Sequence, residues 1–587
     1  MAPLAWSADV VTAQSEQLDS ALQVASGKRI KVEISGLDDA LRDNVKLHLS
    51  VYVQEKAGAL VSERGLRRFL RNAKQEVTTA LQAYGYYSPT IRQEVSEGDA
   101  WRVSFDITAG PITRFRNVAI TLVGEGENEA QLLALATGGK FSKQLRTGEP
   151  LLHAPYSALK SALQKKAYDL GYLDVAFTQS VLRVHPALQA ADVELTLNTG
   201  KRYYFGEIGL EQTILAPQYV ARFIEAVPGD PFSSEALLNL QQALTESNYF
   251  SHVSLDLRRG DSVNQRIPVN VKTEPRKAAR YGVSAGYGTD TGPRAGVSTQ
   301  LRRVNPYGHR FSGALEVSSV SASVASRYSI PLGDVRSESL DFSLNAQREE
   351  INDTEAREYR LATTLTQNRW GGQRRISLAL AHENWRFGDG PTSEATLLMP
   401  GLDLTVKNAD DPFFALSGYS YTLQLRGAAE GVASDVDFVQ AVLFGRAVHS
   451  VTDRSRLLLR AEYGATITDA FDNLPPSLRF FAGGSQSVRG YGYKDLSPRD
   501  GEDNRIGGKY FTALGLELDY LIRGNMGVAA FVDAGDSTRD PIDELKLGAG
   551  LGFRYRSPVG MFRLDVAHPF DDPNDNVRVH ISFGADL

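Results

Sequence analysis

From Lys277 onward the chain can be written almost entirely as two columns of alternate residues, a pattern that restricts it to β-strands with two unlike faces. Between Leu545 and Arg556 one column holds Leu545, Leu547, Ala549, Leu551, Phe553 and Tyr555, and the other Lys546, Gly548, Gly550, Gly552, Arg554 and Arg556. Next, Phe562, Leu564 and Val566 oppose Arg563, Asp565 and Ala567; at the end Val577, Val579, Ile581 and Phe583 oppose Arg578, His580, Ser582 and Gly584. A soluble sandwich also alternates, with its second face in bulk water. Regularity favours a transmembrane β-barrel instead. Short connections (Asn305 to Gly308, Val451 to Arg454, Ser557 to Val559) are expected to alternate with longer ones (Phe387 to Thr392, and longest, Phe480 to Gly508). That asymmetry, and a count of about sixteen antiparallel strands, suit a bacterial outer-membrane barrel.

Bulk properties agree. Mean hydropathy is −0.26, and no run of 18 apolar residues provides a helical span. An alternating barrel keeps its average hydropathy low while one face is apolar. The formal charge of −6 gives no electrostatic reason to expect nucleic acid. With no cysteine there is neither a disulfide framework nor a thiolate metal site, which fits an oxidising periplasm. Met1 to Val10 carries a short apolar patch, Pro3 to Trp6, followed by Ser7-Ala8; residues 1–27 are expected to be a signal-peptide remnant or N-terminal extension.

Before Lys277 the pattern is different. A 3.6-residue period runs from Leu66 through Phe69, Leu70, Val77 and Leu81, returns at Leu159 to Ala167, and again at Leu237 to Leu244. Gly110-Pro111-Ile112-Thr113-Arg114-Phe115 leads into Val118 and Ile120, and Gly200-Lys201-Arg202-Tyr203-Tyr204-Phe205 into Ile208 and Leu210 at the same spacing. Each helix closes on a similar marker: Tyr84-Gly85-Tyr86, Leu170-Gly171-Tyr172, Ser247-Asn248-Tyr249. Gly or Asn there suits a left-handed helix stop before a strand. Three copies of one small α+β unit are expected, at 28–109, 110–200 and 201–275, ahead of a barrel at 276–587.

Catalytic patterns fail on context. Gly282-Val283-Ser284-Ala285-Gly286 matches a nucleophile elbow, but Tyr281, Val283, Ala285 and Tyr287 alternate straight through it, whereas an elbow needs a turn into a helix. The nine histidines form no ligand pair, so no metal, cofactor or enzymatic activity is expected. Gly548, Gly550 and Gly552, on one strand face, give room for something packed inside the barrel.

The informative segment lies in the longest loop, Gly483-Gly484-Ser485-Gln486-Ser487-Val488-Arg489-Gly490-Tyr491 after Phe480-Phe481. Its competing reading is a solvated outer loop. An arginine between Val488 and Tyr491 suits a buried tip, and a buried guanidinium requires a carboxylate. Parity supplies two: Glu517 alternates with Leu514, Leu516 and Leu518, and Asp533 with Val528, Ala530 and Val532, so both point inward.

On these residues the chain resembles the BamA/TamA superfamily of outer-membrane assembly proteins and transporters. Val488-Arg489-Gly490-Tyr491 is similar to its VRG[FY] loop signature, Phe531-Val532-Asp533-Ala534-Gly535 to its F-x-D-x-G strand, and Gly550 to Gly560 followed by Arg563-Leu564-Asp565 to its penultimate hairpin. Asp411-Pro412-Phe413-Phe414 through Gly418 partly resembles a turn signature, with Ala415-Leu416 where a proline is common. The repeats resemble polypeptide-transport-associated (POTRA) domains. Three such units, with the ending Ser582 to Leu587, resemble most the TamA branch, the outer-membrane subunit of the translocation and assembly module.

The resemblance implies a TamB-like inner-membrane-anchored periplasmic partner met through the first unit, unfolded outer-membrane clients, surrounding lipids, and contact of Arg489 with Asp533 and Glu517. An assembly device must offer an edge, and a closed barrel has none. The expected seam joins the first strand, with Gly282, Gly286 and Gly288 facing inward, to the last, with Gly584 near its end. Glycine weakens strands and leaves register loosely specified. Clients would then add at the seam as β-strands. The other reading of these glycines is relief of crowding around the inserted loop. The alternative function is a two-partner-secretion transporter of one dedicated exoprotein, which would carry two repeats and a plug helix.

Overall fold

The computed structural model describes residues 27–411, 414–541, 544–558, 560–571 and 577–584. The expected signal-peptide remnant, Pro412 and Phe413 of the turn signature, and the final residues 585–587 lie outside the described residues.

Each N-terminal repeat is a three-stranded sheet covered by helices. In the first, strands Ile30–Ser35, Thr90–Glu97 and Trp101–Thr108 pair in the order first–third–second. The first and third are parallel, the second and third antiparallel. Trp101, Val103, Phe105 and Ile107 alternate onto the buried face and pack with Leu66, Ala73, Val77 and Leu81 of helix Glu63–Gln82, whose N-terminus Ser62 caps through Gly65 N–H. The second repeat repeats the order with Arg114–Val123, Ala176–His185 and Ala190–Asn198, and the third with Tyr204–Glu211, Phe250–Leu257 and Arg266–Pro275. Gly85, Gly171 and Asn248 take φ of +89°, +93° and +63°, the left-handed stops that let each long helix turn into its next strand. In each of the first two repeats one long helix follows two shorter ones.

The remainder is a sixteen-stranded sheet in which each strand is hydrogen-bonded to its sequence neighbours, a nearly closed antiparallel barrel. The strands are 279–288, 292–301, 310–318, 321–331, 339–351, 354–369, 372–387, 393–409, 417–428, 438–452, 455–467, 510–523, 526–538, 546–557, 560–569 and 578–584. The would-be nucleophile elbow lies inside the first, paired through Gly282↔Ser298 and Gly286↔Arg294. The apolar columns face outward: Val283, Leu378, Leu516, Leu551, Phe553, Val566 and Val579 are all exposed, as a lipid-facing band requires. Gly548, Arg554, Asp565, Ala567 and His580, from the opposite columns, are buried inside.

Connection lengths depart from simple alternation. From the ninth strand onward the longer connections lie at the end of the barrel far from the entering chain, while before it the near-end connection 410–416 exceeds the far-end 388–392. Among the first six strands that is reversed: 302–309 and 332–338, at the near end, exceed 289–291 and 319–320. These near-end turns hold part of the third repeat, for residues 210–225 and 240–254 form one compact unit with the barrel. Ala216 N–H donates to Pro306 O (2.9 Å), and Arg222 to Gly333 O (3.0 Å). The Tyr249 hydroxyl donates to Gly308 O (2.6 Å) and lies 3.0 Å from the Tyr219 hydroxyl and 3.2 Å from Arg310 Nε. Burial, and then the Tyr249 hydroxyl beside it, raise the Tyr219 phenol far above its ordinary pKa and keep it neutral. Gly308 has φ +75°, and a Cβ there would overlap the Tyr219 ring.

Tyr249→Phe is therefore expected to leave Gly308 O and the Tyr219 hydroxyl unpaired. Such a loss costs about 1–3 kcal/mol. At an m-value of roughly 1–3 kcal/mol/M it lowers the urea midpoint for proteolysis around residues 302–310 by on the order of 1 M. An unchanged midpoint would show that this clasp contributes nothing to the junction.

Candidate functional site

The segment between the eleventh strand (Ser455–Ile467) and the twelfth (Tyr510–Arg523) folds into the barrel interior. Its base is apolar. Phe471, Leu474 and Leu478 pack on Ala379, Ala381, Leu397, Met399 and Phe438, an inward apolar patch on the seventh, eighth and tenth strands. Burying three such side chains contributes on the order of 5 kcal/mol as an upper figure. Arg479 ties the two arms together: Nε donates to Leu474 O (2.7 Å), Nη2 to Asp472 O (2.8 Å) and Nη1 to Ile506 O (3.1 Å), between the rings of Phe471 and Phe387. Arg505 holds the returning arm on Asp353 (2.9 Å).

The tip is polar and buried. Arg489, 6% exposed, donates through Nε to Asp533 Oδ2 (2.7 Å), through Nη2 to Asp533 Oδ1 (3.0 Å), and through Nη1 to Glu517 Oε2 (2.6 Å) and Asp565 Oδ2 (3.1 Å). Its guanidinium carbon sits 3.4 Å from the centre of the Phe531 ring. The F-x-D-x-G residues on one strand face thus divide the work: Phe531 floors the guanidinium, Asp533 binds it, and Gly535 leaves space for Val488, whose Cγ2 would stand 3.0 Å from a Cβ there. Gly490 N–H donates to His580 Nε2 (3.0 Å), and the Tyr491 hydroxyl donates to Leu547 O (3.0 Å).

The ionic cluster is wider than the sequence reading. Arg456 binds Asp519 (2.6 Å), Arg554 binds Glu517 (2.7 Å) and Asp565, and Arg460 lies 3.4 Å from Asp533 while donating to Gln486 O (2.7 Å). Arginines 456, 460, 489 and 554 thereby balance carboxylates 517, 519, 533 and 565, largely buried positions where an uncompensated charge is expensive. Parity applies equally to Asp519, Arg554 and Asp565, so their inward direction was available; which guanidinium meets which carboxylate depends on strand register. Asp290, on the turn after the first strand, accepts from Ser485 N–H (3.1 Å) and Oγ–H (2.6 Å). Burial opposes its ionisation, but interactions with His580 and Ser485 outweigh it and hold the carboxyl below its usual range.

The seam residues sit as follows. Gly282, Gly286 and Gly288 adjoin only side chains of the second strand and its turn, Ser298, Arg294 and Thr291, and no atom lies within 4 Å of a Cβ built on Gly584. None of them borders the inserted loop; Gly548 does, since a Cβ there would overlap the Arg489 carbonyl. Among the described residues the first and last strands share no ladder. The last strand instead meets the turn after the first: Ile581 N–H donates to Thr289 Oγ1 (3.4 Å), and His580 Nδ1 lies 3.9 Å from Asp290 Oδ1. Gly548→Ala is expected to push the loop tip out. Overpacking costs about 1–3 kcal/mol, or a roughly tenfold or greater gain in protease cleavage within residues 484–492. Heat-modifiable gel mobility should show the barrel intact, and wild-type protection would mean the tip accommodates the methyl group.

Comparison with known proteins adds the following. A profile of the Omp85 superfamily domain matches residues 259–586, and one described as POTRA domain, TamA domain 1, matches residues 31–109. The outer membrane protein assembly factor BamA of Nitratidesulfovibrio vulgaris (strain Hildenborough) is 24% identical over 615 residues, covering 94% of this chain and 72% of that protein. BamA of Neorickettsia risticii (strain Illinois) is 23% identical over 446 residues, covering 70% of this chain and 58% of that protein, so the chain spans less than two thirds of its length. In fold the chain is similar to BamA from Haemophilus ducreyi lacking POTRA domains 1–3, with a TM-score of 0.66, 15% identity, and coverage of 80% of this chain and 99% of that one.

Proposed function

The chain belongs to the Omp85 superfamily, and from that premise we propose that it inserts client β-barrel proteins or autotransporters through the seam between its first and last strands, as a TamA-type subunit working with a TamB-like periplasmic protein. It is an outer-membrane barrel with POTRA domains on the periplasmic side, and an assembly or secretion factor of that family. The observation that carries the insertion reading is the missing ladder. Every pair of consecutive strands is hydrogen-bonded, yet among the described residues strands 279–288 and 578–584 share no ladder, and Ile581 of the last strand reaches only the Thr289 side chain in the turn after the first. Strand edges without a ladder between them can template an incoming strand, the usual hazard of an exposed edge turned to use. The loop's apolar base and ionic tip occupy the barrel interior, an investment that a passive pore does not need.

The TamA assignment rests on the match of the first repeat to the TamA-type POTRA profile and on the three-repeat arm. Contact with the partner through the first repeat is part of the same proposal. A photo-crosslinking residue at Tyr281, exposed on the first strand, tests the whole reading in intact envelopes. Adducts with several nascent outer-membrane barrels are expected, together with co-purification of a TamB-like protein. Adducts with a single secreted exoprotein would favour two-partner secretion, and adducts with lipid alone would sink strand insertion.

A further inference from the structure

The inserted loop touches both banks of the seam. On one side Ser485 donates twice to Asp290, in the turn that joins the first two strands. On the other, Gly490 N–H donates to His580 of the last strand. Between these two points the chain advances only from Ser485 to Gly490, and Arg489 within that span is bolted to Asp533, Glu517 and Asp565 on neighbouring strands. We propose that the loop tip is a latch: Asp290 and His580 are its two keepers, and the seam's outer end separates only when one of them lets go. This rests on the seam reading above and adds what holds that seam shut.

Three features support it. First, among the described residues the direct hydrogen bond across the outer end is a long one, Ile581 N–H to Thr289 Oγ1 at 3.4 Å, whereas the loop bonds to both sides at 2.6–3.1 Å. Second, the keepers are matched chemically. To accept from Gly490, His580 Nε2 must offer its lone pair, which puts the ring proton on Nδ1, the nitrogen facing Asp290 Oδ1 at 3.9 Å. That distance exceeds a hydrogen bond, so the two keepers face each other across the seam without closing it themselves. Third, His580 is 4% exposed while the outward residues beside it, Val579 and Phe583, are exposed, so the latch lies on the lumen side and a client strand approaching from lipid meets the unpaired edge. Uniting a partly buried carboxylate, a buried imidazole and an arginine-anchored loop in one joint makes opening two-state, since the partners are lost together.

Spin labels at Tyr287→Cys and Phe583→Cys read the outer end of the seam, because both positions face outward, lie two residues from the Thr289–Ile581 contact on their own strands, and the chain has no cysteine of its own. Pulsed distance measurements on the full chain in lipid nanodiscs should give a short, narrow distribution. Asp290→Ala and His580→Phe are each expected to raise the open population at least tenfold, and the double variant little further, the non-additivity of a latch that fails when either keeper fails. Asp290→Asn, which keeps an acceptor for Ser485, should restore the narrow distribution. Asp353→Ala, which frees only the loop's returning arm, should leave it unchanged. If neither keeper variant moves the distance while Arg489→Ala does, the latch is wrong and the seam stands. If Arg489→Ala also leaves a single short distance, with or without an unfolded client barrel, the seam reading itself fails. An equal effect of Asp353→Ala would reduce the keepers to general loop support and overturn the latch.

Discussion

Arg489→Ala is expected to release the loop tip from the lumen and abolish client assembly while leaving the barrel folded. The size of the effect follows from what stays behind. Removing one member of a buried charge pair costs roughly 3–5 kcal/mol, chiefly because the other charge is left uncompensated. Here the loss is cushioned: Asp533 keeps Arg460 at 3.4 Å and Glu517 keeps Arg554 at 2.7 Å. Three arginines then face four carboxylates, so the lower end of the range applies. About 3 kcal/mol corresponds to roughly a hundredfold shift toward the undocked tip. The loop base stays, because Phe471, Leu474 and Leu478 are held by apolar burial that owes nothing to Arg489. Maleimide labelling of Ser487→Cys, a buried position beside the arginine, measures the shift. About a hundredfold faster labelling in the Arg489→Ala background is expected, and equal rates would make the arginine dispensable for docking. Arg489→Lys should behave nearly as alanine, since one ammonium cannot supply the forked geometry that spans Asp533, Glu517 and Asp565.

A disulfide between Thr289→Cys and Ile581→Cys should stop insertion altogether in the oxidised protein and restore it on reduction. The Thr289 side chain already reaches the backbone of Ile581, which makes these two the adjoining positions across the outer end of the seam. With no other cysteine, any crosslink formed within the chain is this one. Pairing with a client contributes about 0.5–1.5 kcal/mol per backbone hydrogen bond, far too little to open a covalent bond. Folding of an unfolded client into liposomes containing the oxidised protein should therefore fall to the rate in empty liposomes. Undiminished insertion by the oxidised form would remove the seam from the mechanism.

How far the sequence reached can be seen in single residues. Inward projection of Glu517 and Asp533 follows from alternation alone, and both lie within hydrogen-bonding distance of Arg489. Asp565 and Arg554 obey the same alternation, yet their part in the cluster is absent from any local pattern, because it needs the register of four strands. The inward patch of Ala379, Ala381, Leu397 and Met399 was hidden for another reason: there the lumen-side column is apolar as well, so the two faces cannot be told apart. Connection lengths misled near the start of the barrel, where turns 302–309 and 332–338 are long because they receive part of the third repeat.

By itself the sequence determined the three-copy arm, the strand period, the barrel and the inward side of those strands whose two columns differ in polarity, including the column that carries Arg554 and His580. These are local properties: a two-residue or 3.6-residue repeat and a left-handed stop need only a few neighbouring residues to declare themselves. Only the tertiary structure decided what the loop does. Asp290 and His580 stand 290 positions apart and come together because the sheet curls back on itself, and the absence of a ladder beside them is a relation between two chain ends. Closure and its failure are properties of the whole circumference, set by the summed tilt and register of all sixteen strands. No single strand carries them.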